Sequence, residues 1–481
     1  MDHGGDAGRY GGDARRDGGD ARRDGGDAGR DGGDAGRDGG DAGRDSGDAG
    51  RHGGSLPARP MPGGPAPSGP HADRSATLGA SARFASLGSA GRARAEASGN
   101  AGAASWARSP LHWRPDVLGA GFEAAELDLG ADDEGPLVAT LVRSLPAPPR
   151  LLDRVLRRTP LLADVDVLYV HGWSDYFFQR SMARFWTDRG ARFYALDLRK
   201  YGRSLRDGQT PGYIENLDDY DLEIGLALDA MGHGEGDGPR AGTAAPDGAA
   251  PRDGGAPRRL ILFGHSTGGL ILSLWASTHP GRADGLVLNS PWLEFQLTGA
   301  GRQMLAPLLD LGARFNLRDS APQFDAGLYT RAQRAVGPQD ELATIDERWR
   351  PARSHAVLTV WLRAILAGHA RVSRGLAIES PILMLLSARS ALPLRWDEAL
   401  TSADTVLEVD EIAKASLRLG STLTIERLDG ALHDVFLSRD AVRAEAYARL
   451  ERWVAGWAAA QRAARGGAPG LRRRRARTAA S

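Results

Sequence analysis

The chain has 481 residues and a formal net charge of zero, with 25% charged and 41% hydrophobic residues. Balanced charge leaves no bulk footprint for nucleic acid. The absence of cysteine excludes disulfides, thiol nucleophiles and Cys-ligated metals. Length alone would allow about three domains, but the composition argues for fewer.

Residues 4–52 repeat a seven-residue unit of the type GGDAGRD. Alanine is its only apolar residue, so no coiled-coil seam can form. A calcium-binding β-helix would need a nine-residue period and a large aliphatic side chain in each repeat. Residues 53–104 continue in Pro, Gly, Ala and Ser. Segments 1–104 are therefore expected to be disordered, since they cannot bury enough surface to offset chain entropy. No apolar signal region stands at the N-terminus, and the expected location is cytoplasmic. Only Lys200 and Lys414 are lysines, which reads as coding bias.

From residue 105 the elements alternate. Residues 122–129 and 137–144 suit two strands around the turn at 130–135, a hairpin. Residues 165–170 form a buried strand ending at His171-Gly172, and 177–189 have helical spacing. A strand at 192–197 and a helix at 217–231 precede a Gly/Pro/Asp-rich insertion, 232–257, expected to be disordered. A strand at 259–263 leads into Gly264-His-Ser-Thr-Gly268, with a helix at 270–278. Strands at 285–290, 381–387 and 421–428 follow, and a last helix covers 441–460. Short apolar strands alternating with helices predict an α/β fold, a mostly parallel sheet with helices on both faces. The uncharged run 260–281 is long enough for a membrane span, but Gly-His-Ser-Thr-Gly-Gly cuts it into two short apolar pieces.

Gly-x-Ser-x-Gly alone is weak, because 64 glycines make about half a match expected by chance. Its context is stronger. An apolar strand leads in, an apolar helix leads out, and Ser266 alone among the serines has glycine two before and two after it. A nucleophile on a sharp strand-to-helix turn needs small residues at those positions, here Gly264 and Gly268. A serine nucleophile needs a base, and the base an acid that fixes its tautomer. Of the histidines after Ser266, His279 lies too near, and His355 and His369 fall among helical residues of an insertion, as lid or surface residues. His433 follows the final strand, at the sheet edge where ligands bind in open α/β folds. The acid is sought after the strand 382–386, where Asp404 is preferred over Asp397, Glu398, Glu408 and Asp410, with Glu294 as an outside alternative. The oxyanion donors expected are the backbone N–H groups of Thr267 and of Trp173, with His171 and Gly172 shaping the second.

The set His171-Gly172-Trp173-Ser174, Asp197-LRKYGRS, Gly264-HSTGG, Ser402-ADTV and Gly430-ALHD resembles the α/β-hydrolase superfamily. Within it, the chain is similar to the monoacylglycerol lipase and lysophospholipase group, often filed with serine aminopeptidases. The resemblance covers about residues 115–460. It departs at Lys200, which stands where the family has glycine, and the loop backbone is expected to differ there. The resemblance implies an α/β-hydrolase core at 105–294 and 376–462, and a helical cap at 295–375 whose apolar face lines an acyl pocket. Helical spacing at 302–315 and 354–368 fits a cap, although such faces also suit packing onto the sheet. Residues 463–481 are expected to be a basic disordered tail, solvated, with weak contact to an anionic membrane surface as the alternative.

The implied activity is cleavage of lipophilic carboxylic esters by Ser266, His433 and Asp404, with no metal and no cofactor. The expected partner is a small-molecule acyl ester, not nucleic acid. An aminopeptidase whose cap acids, at 340–347, hold a substrate amine is the first alternative, and a hydrolase-fold binding protein without turnover the second. Deleting residues 1–104 should leave the melting temperature and the ester-hydrolysis rate nearly unchanged, because the repeats have nothing with which to join the core. A large drop in melting temperature on truncation would contradict that reading.

Overall fold

The computed structural model describes residues 111–148, 156, 158–234, 257–295, 320, 326–391 and 395–477. The repeats, most of the 232–257 insertion and the helix expected at 302–315 lie outside the described residues. The strands are β1 (Arg114–Pro115), β2 (Glu123–Asp132), β3 (Gly135–Ser144), β4 (Val165–Val170), β5 (Arg192–Asp197), β6 (Arg259–His265), β7 (Gly285–Asn289), β8 (Ile382–Ser387) and β9 (Leu423–Leu428). They form one sheet in the order β1-β2-β3-β5-β4-β6-β7-β8-β9. The pairs from β1 to β3, and β3 with β5, are antiparallel; every pair from β5 across to β9 is parallel.

The helices are α1 (Arg180–Thr187), α2 (Asp221–Met231), α3 (Thr267–Thr278), α4 (Leu328–Val336), α5 (Gln339–Leu342), α6 (Thr359–Arg374), α7 (Val409–Ser416) and α8 (Asp440–Arg477). Both faces of the parallel strands are covered. Along β6 the side chains alternate, Leu260 and Leu262 joining one apolar core with α2, α3 and α6, and Ile261 and Phe263 joining the other with α1 and α8. Each such side chain, fully buried, stabilises the fold by about 1.5–3 kcal/mol, which is why the strands read as continuous apolar runs.

Several elements differ from the sequence expectation. Helix α1 begins at Arg180 rather than 177, because Asp197 Oδ1 accepts the Phe177 N–H (3.0 Å) and Arg203 Nη1 donates to the Phe177 carbonyl (2.9 Å). Those bonds hold residue 177 to the end of β5. Helix α6 begins at Thr359 rather than 354 and packs in the same core as α3, where Gly368 lets Leu270 and Leu274 approach. This favours packing on the core over a free cap face for that helix. Helix α8 runs on to Arg477, so the basic run from Arg472 is helical rather than coil. Alanine and arginine at 462–465 are strong helix formers and continue the helix past 460, although Gly466, Gly467, Pro469 and Gly470 oppose its onward course. No helix among the described residues is long and apolar enough to cross a membrane.

Lys200 takes φ +60°, the left-handed backbone that the family glycine would favour. What makes this tolerable is its side chain. Nζ is buried and donates to Asp132 (2.6 Å) and Glu134 (2.5 Å) of the β2–β3 hairpin, and lies 4.9 Å from the Tyr213 ring. Burial alone would push the Glu134 carboxyl up; hydrogen bonds from Lys200 and Thr210 outweigh it and leave it lowered. The substitution thus exchanges a permissive residue for an ion-paired anchor.

Candidate active site

The chain runs from β4 to β5 on one side and places β6 on the other, so the strand order reverses between β4 and β6. In open α/β sheets that reversal opens a crevice at the C-terminal strand ends. Here it separates the loop after β4, residues 171–175, from the turn after β6, residues 264–268.

Ser266 sits in that turn with φ 51° and ψ −117°, a sparsely allowed conformation for a residue with a side chain. Crowding explains the glycines. A Cβ at Gly264 would stand 2.6 Å from the Gly269 Cα, and one at Gly268 would stand 2.3 Å from the His171 carbonyl oxygen. The turn is held by the Asn289 carbonyl, which accepts the Ser266 N–H (3.0 Å), and by the Trp292 N–H, which donates to the Ser266 carbonyl (2.9 Å).

Ser266 Oγ lies 3.0 Å from His433 Nε2, and His433 Nδ1 lies 2.9 Å from Asp404 Oδ2. The carboxylate is only an acceptor, so the proton sits on Nδ1 and leaves Nε2 to accept the serine hydroxyl. Asp404 Oδ1 is fixed in turn by the Val406 and Leu407 N–H groups, each at 2.8 Å. Asp404 is fully buried and His433 nearly so. The three side chains arrive from the ends of β6, β8 and β9, and the structure brings them into one hydrogen-bonded chain.

The competing acids lie elsewhere. Exposed Asp397 accepts the Ala399 N–H at the start of a single 3-10 turn, Asp410 pairs with Arg427, and Glu411 with Lys414. Glu294 Oε1 accepts the N–H of its neighbour Phe295 (2.9 Å). His279 stacks on Trp275 and faces Asp221.

The loop after β4 has a defined orientation. The Leu198 N–H donates to His171 Nε2 (3.1 Å), so the imidazole proton lies on Nδ1 and donates to the Gly172 carbonyl (2.8 Å). In a trans peptide the carbonyl and the following N–H point opposite ways. The Trp173 N–H is therefore turned away from His171. A Cβ at Gly172 would stand 3.0 Å from the Ser266 Cβ, so this peptide adjoins the serine. Among the described residues, neither the Trp173 nor the Thr267 N–H has a backbone acceptor. Two free donors beside one hydroxyl make a cradle for developing negative charge.

His369 is buried rather than on the surface, and His355, within the insertion, is half-buried. Ser174 Oγ accepts the His355 N–H (3.0 Å) and lies 2.9 Å from its Nδ1, while burial holds the His355 imidazole below its usual range. His369 is buried on α6, with Nε2 2.9 Å from the Trp292 carbonyl. Three further residues at the site were not singled out in the sequence, although Asp434 closes the Gly430-ALHD stretch. Tyr329 of α4 sets its ring edge-on to His433 (5.6 Å), and its phenol oxygen accepts the Asp434 N–H (3.2 Å). Burial first, then the Asp434 charge, pushes that phenol well above its ordinary pKa. Asp434 and Asn289 are both buried, and they are bonded to each other (2.7 Å).

A family model described as the alpha/beta hydrolase fold matches residues 167–354, which span the loop after β4 and the Ser266 turn. The chain carries the α/β-hydrolase fold. Among solved structures it is similar to the monoacylglycerol lipase of Paleococcus ferrophilus, at 17% identity over 61% of this chain and 94% of that one, with a TM-score of 0.42. It is also similar to a soluble variant of the monoglyceride lipase of Saccharomyces cerevisiae, at 13% identity over 73% and 98%, TM-score 0.45. A thermophilic esterase from Thermogutta terrifontis matches at 13% identity over 68% and 98%, TM-score 0.40. No curated protein matches the chain significantly.

Of the candidate acids in this α/β-hydrolase fold, Asp404 alone reaches the imidazole. Asp404→Asn should preserve the fold but favour the wrong His433 tautomer, lowering kcat by about three to four orders of magnitude. Asp397→Asn, Asp410→Asn and Glu294→Gln should each stay within about tenfold of wild type, which steady-state kinetics with matched circular dichroism will show. Collapse of one of those three, with Asp404→Asn near wild type, would move the acid to another loop.

Proposed function

We propose that the protein is a serine hydrolase that cleaves carboxylic esters of lipophilic acyl substrates, of the monoacylglycerol or lysophospholipid type. The observation that carries this reading is the continuous Asp404–His433–Ser266 hydrogen-bonded chain beside two unclaimed backbone donors. Ser266 Oγ adds to the ester carbonyl carbon while its proton passes to His433 Nε2. The carbonyl oxygen becomes an oxyanion held by the Trp173 and Thr267 N–H groups, and Asp404 stabilises the imidazolium. Collapse breaks the bond to the alcohol oxygen, which takes the proton from His433 as it leaves. Water then repeats the sequence on the acyl-enzyme, releasing the carboxylic acid and free Ser266. No step needs a cofactor.

Aromatic surface next to the serine supports a lipophilic acyl group. Trp173, Trp292 and Trp361 pack together with ring centroids 4.1 and 5.9 Å apart, and Trp292 is bonded through its backbone to Ser266. The aminopeptidase alternative draws less support. Glu341, one of the acids that reading assigns to a substrate amine, accepts the Ser181 N–H at the start of α1 (2.6 Å), and Asp346 is engaged by Arg348. Asp340 faces Arg180, and Glu347 pairs with Arg334.

The test is a panel of acyl esters of graded chain length, monoacylglycerols, lysophospholipids and aminoacyl amides with the full-length protein. Esters should be cleaved faster than amides, and Ser266→Ala should abolish both hydrolysis and fluorophosphonate labelling without changing the circular dichroism spectrum. Labelling that persists in Ser266→Ala would remove Ser266 as the nucleophile, and faster cleavage of the amides would favour the aminopeptidase.

A further inference from the structure

Ser266 and His433 must stand a hydrogen bond apart, yet the sheet does not bring them together directly. Ser266 follows β6 and His433 follows β9, with β7 and β8 between those strands. No backbone ladder joins the two turns. The residue that spans them is Asn289, the last of β7, which is fully buried.

Asn289 makes contacts in both directions. Its carbonyl oxygen accepts the Ser266 N–H at 3.0 Å and faces His265 Nδ1 at 3.1 Å. Its side chain reaches the histidine loop, where Nδ2 donates to Asp434 Oδ1 (2.7 Å) and Oδ1 accepts the Val435 N–H (3.2 Å). Those two residues directly follow His433. The orientation of the amide is forced, because a carboxylate can only accept and a backbone N–H can only donate. Only an amide side chain of this length offers both roles at once.

Asp434 completes the brace. Its carboxylate also accepts from Gln179 Nε2 (2.5 Å) and from the Phe436 N–H (3.0 Å), and it is almost wholly buried. Arg350, whose charge acts on this carboxylate, pairs instead with Asp175 at 2.7 Å. A buried carboxylate satisfied by neutral donors loses much when one of them is removed, so the Asn289 bond holds it in a single place.

We propose that Asn289, acting through Asp434, is a positioning residue that sets the Ser266–His433 separation by clamping the nucleophile turn and the histidine loop together. This rests on the serine-hydrolase reading above, and it adds a fourth side chain on which the rate of acylation depends. Asn289 touches neither substrate nor reacting atoms. Its effect falls on kcat rather than on KM, since substrate contacts are unchanged while the proton acceptor is displaced.

The test exchanges the two partners in the full-length protein. In Asn289→Asp two carboxylates face each other at the former 2.7 Å contact, and the loops are driven apart. A misplacement on the order of 1 Å can cost about a hundredfold. We expect kcat for the best ester of the panel to fall by about that factor, with KM within about threefold of wild type. The swapped variant, Asn289→Asp with Asp434→Asn, restores an amide–carboxylate pair, though it leaves the Phe436 N–H without its acceptor, and should recover about threefold or more in kcat over Asn289→Asp. A role in stability alone would lower the melting temperature without this recovery of kcat. If Asn289→Asp does not fold, Asn289→Ala serves, because it removes both side-chain contacts to the histidine loop while keeping the backbone carbonyl that holds the Ser266 N–H, and it should still lower kcat. Wild-type kcat in a folded Asn289→Asp, or a swapped variant no faster than that single variant, would overturn the proposal. If the wild-type protein cleaves no ester, the functional reading fails by itself. The clamp is then judged by amide hydrogen exchange, in which Asn289→Asp should speed exchange at Ser266 and Val435 together. Unchanged exchange at both would overturn the clamp.

Discussion

The conformation of Ser266 is the constraint on which the rest of the site depends. A side-chain-bearing residue at φ 51° costs on the order of 1–3 kcal/mol and persists only where its surroundings over-determine it. Here they do so from three sides. Gly264 and Gly268 admit backbone where any Cβ would collide, the Asn289 carbonyl fixes the Ser266 N–H, and the Trp292 N–H fixes its carbonyl. The consequence is chemical. The turn lifts Oγ to His433 while α3 begins at the next residue, so the Thr267 N–H at the helix start is left without an intrahelical partner. One distorted residue thus sets a hydroxyl beside its base and, in the proposed mechanism, leaves the next N–H free for the oxyanion.

Around this turn, the second half of the 295–375 insertion is fastened to the core by polar contacts. Ser174 bonds to His355 and Asp175 pairs with Arg350, so two successive residues of the loop after β4 are tied to the insertion. Glu341 accepts from the Ser181 N–H, and the Tyr176 phenol oxygen accepts the Asp346 N–H (2.9 Å). Burial raises the Glu341 carboxyl, opposed by the hydrogen bonds from Ser181. Tyr329 carries the same connection to His433. The insertion therefore contributes to the geometry of the site, and the loop bearing the Trp173 N–H is held between β4 and this segment.

Much of the arrangement was legible in the sequence, for identifiable reasons. Parallel strands buried on both faces leave apolar runs, clearest in β6, β7 and β8, whereas the edge strand β9, Leu-Thr-Ile-Glu-Arg-Leu, is half-exposed and has none. Ser266 stands out because steric crowding imposes glycine at fixed offsets, and His433 because it alone follows the last strand within reach of a sheet edge. Asp404 was harder to single out, since its loop holds several acids and only folding decides which carboxylate points inward. Asn289 and Tyr329 left no signal, and Asp434 only its place at the end of Gly430-ALHD. Each acts through a partner distant in sequence, as Asn289 does with Asp434 145 positions away, and nothing local demands their identity. Lys200 shows the opposite case, in which a departure from the family pattern was visible but its compensation by Asp132 and Glu134 was not.

The central claim is that Ser266 attacks a carbonyl whose oxygen is received by the Trp173 and Thr267 N–H groups. A crystal structure of the protein after reaction with a fluorophosphonate tests this directly, because the tetrahedral phosphorus places an oxygen where the oxyanion would lie. The account predicts a covalent bond from Ser266 Oγ to phosphorus, with the phosphoryl oxygen about 2.7–3.1 Å from both backbone nitrogens. An adduct on another serine, or a phosphoryl oxygen turned away from both nitrogens, would contradict it.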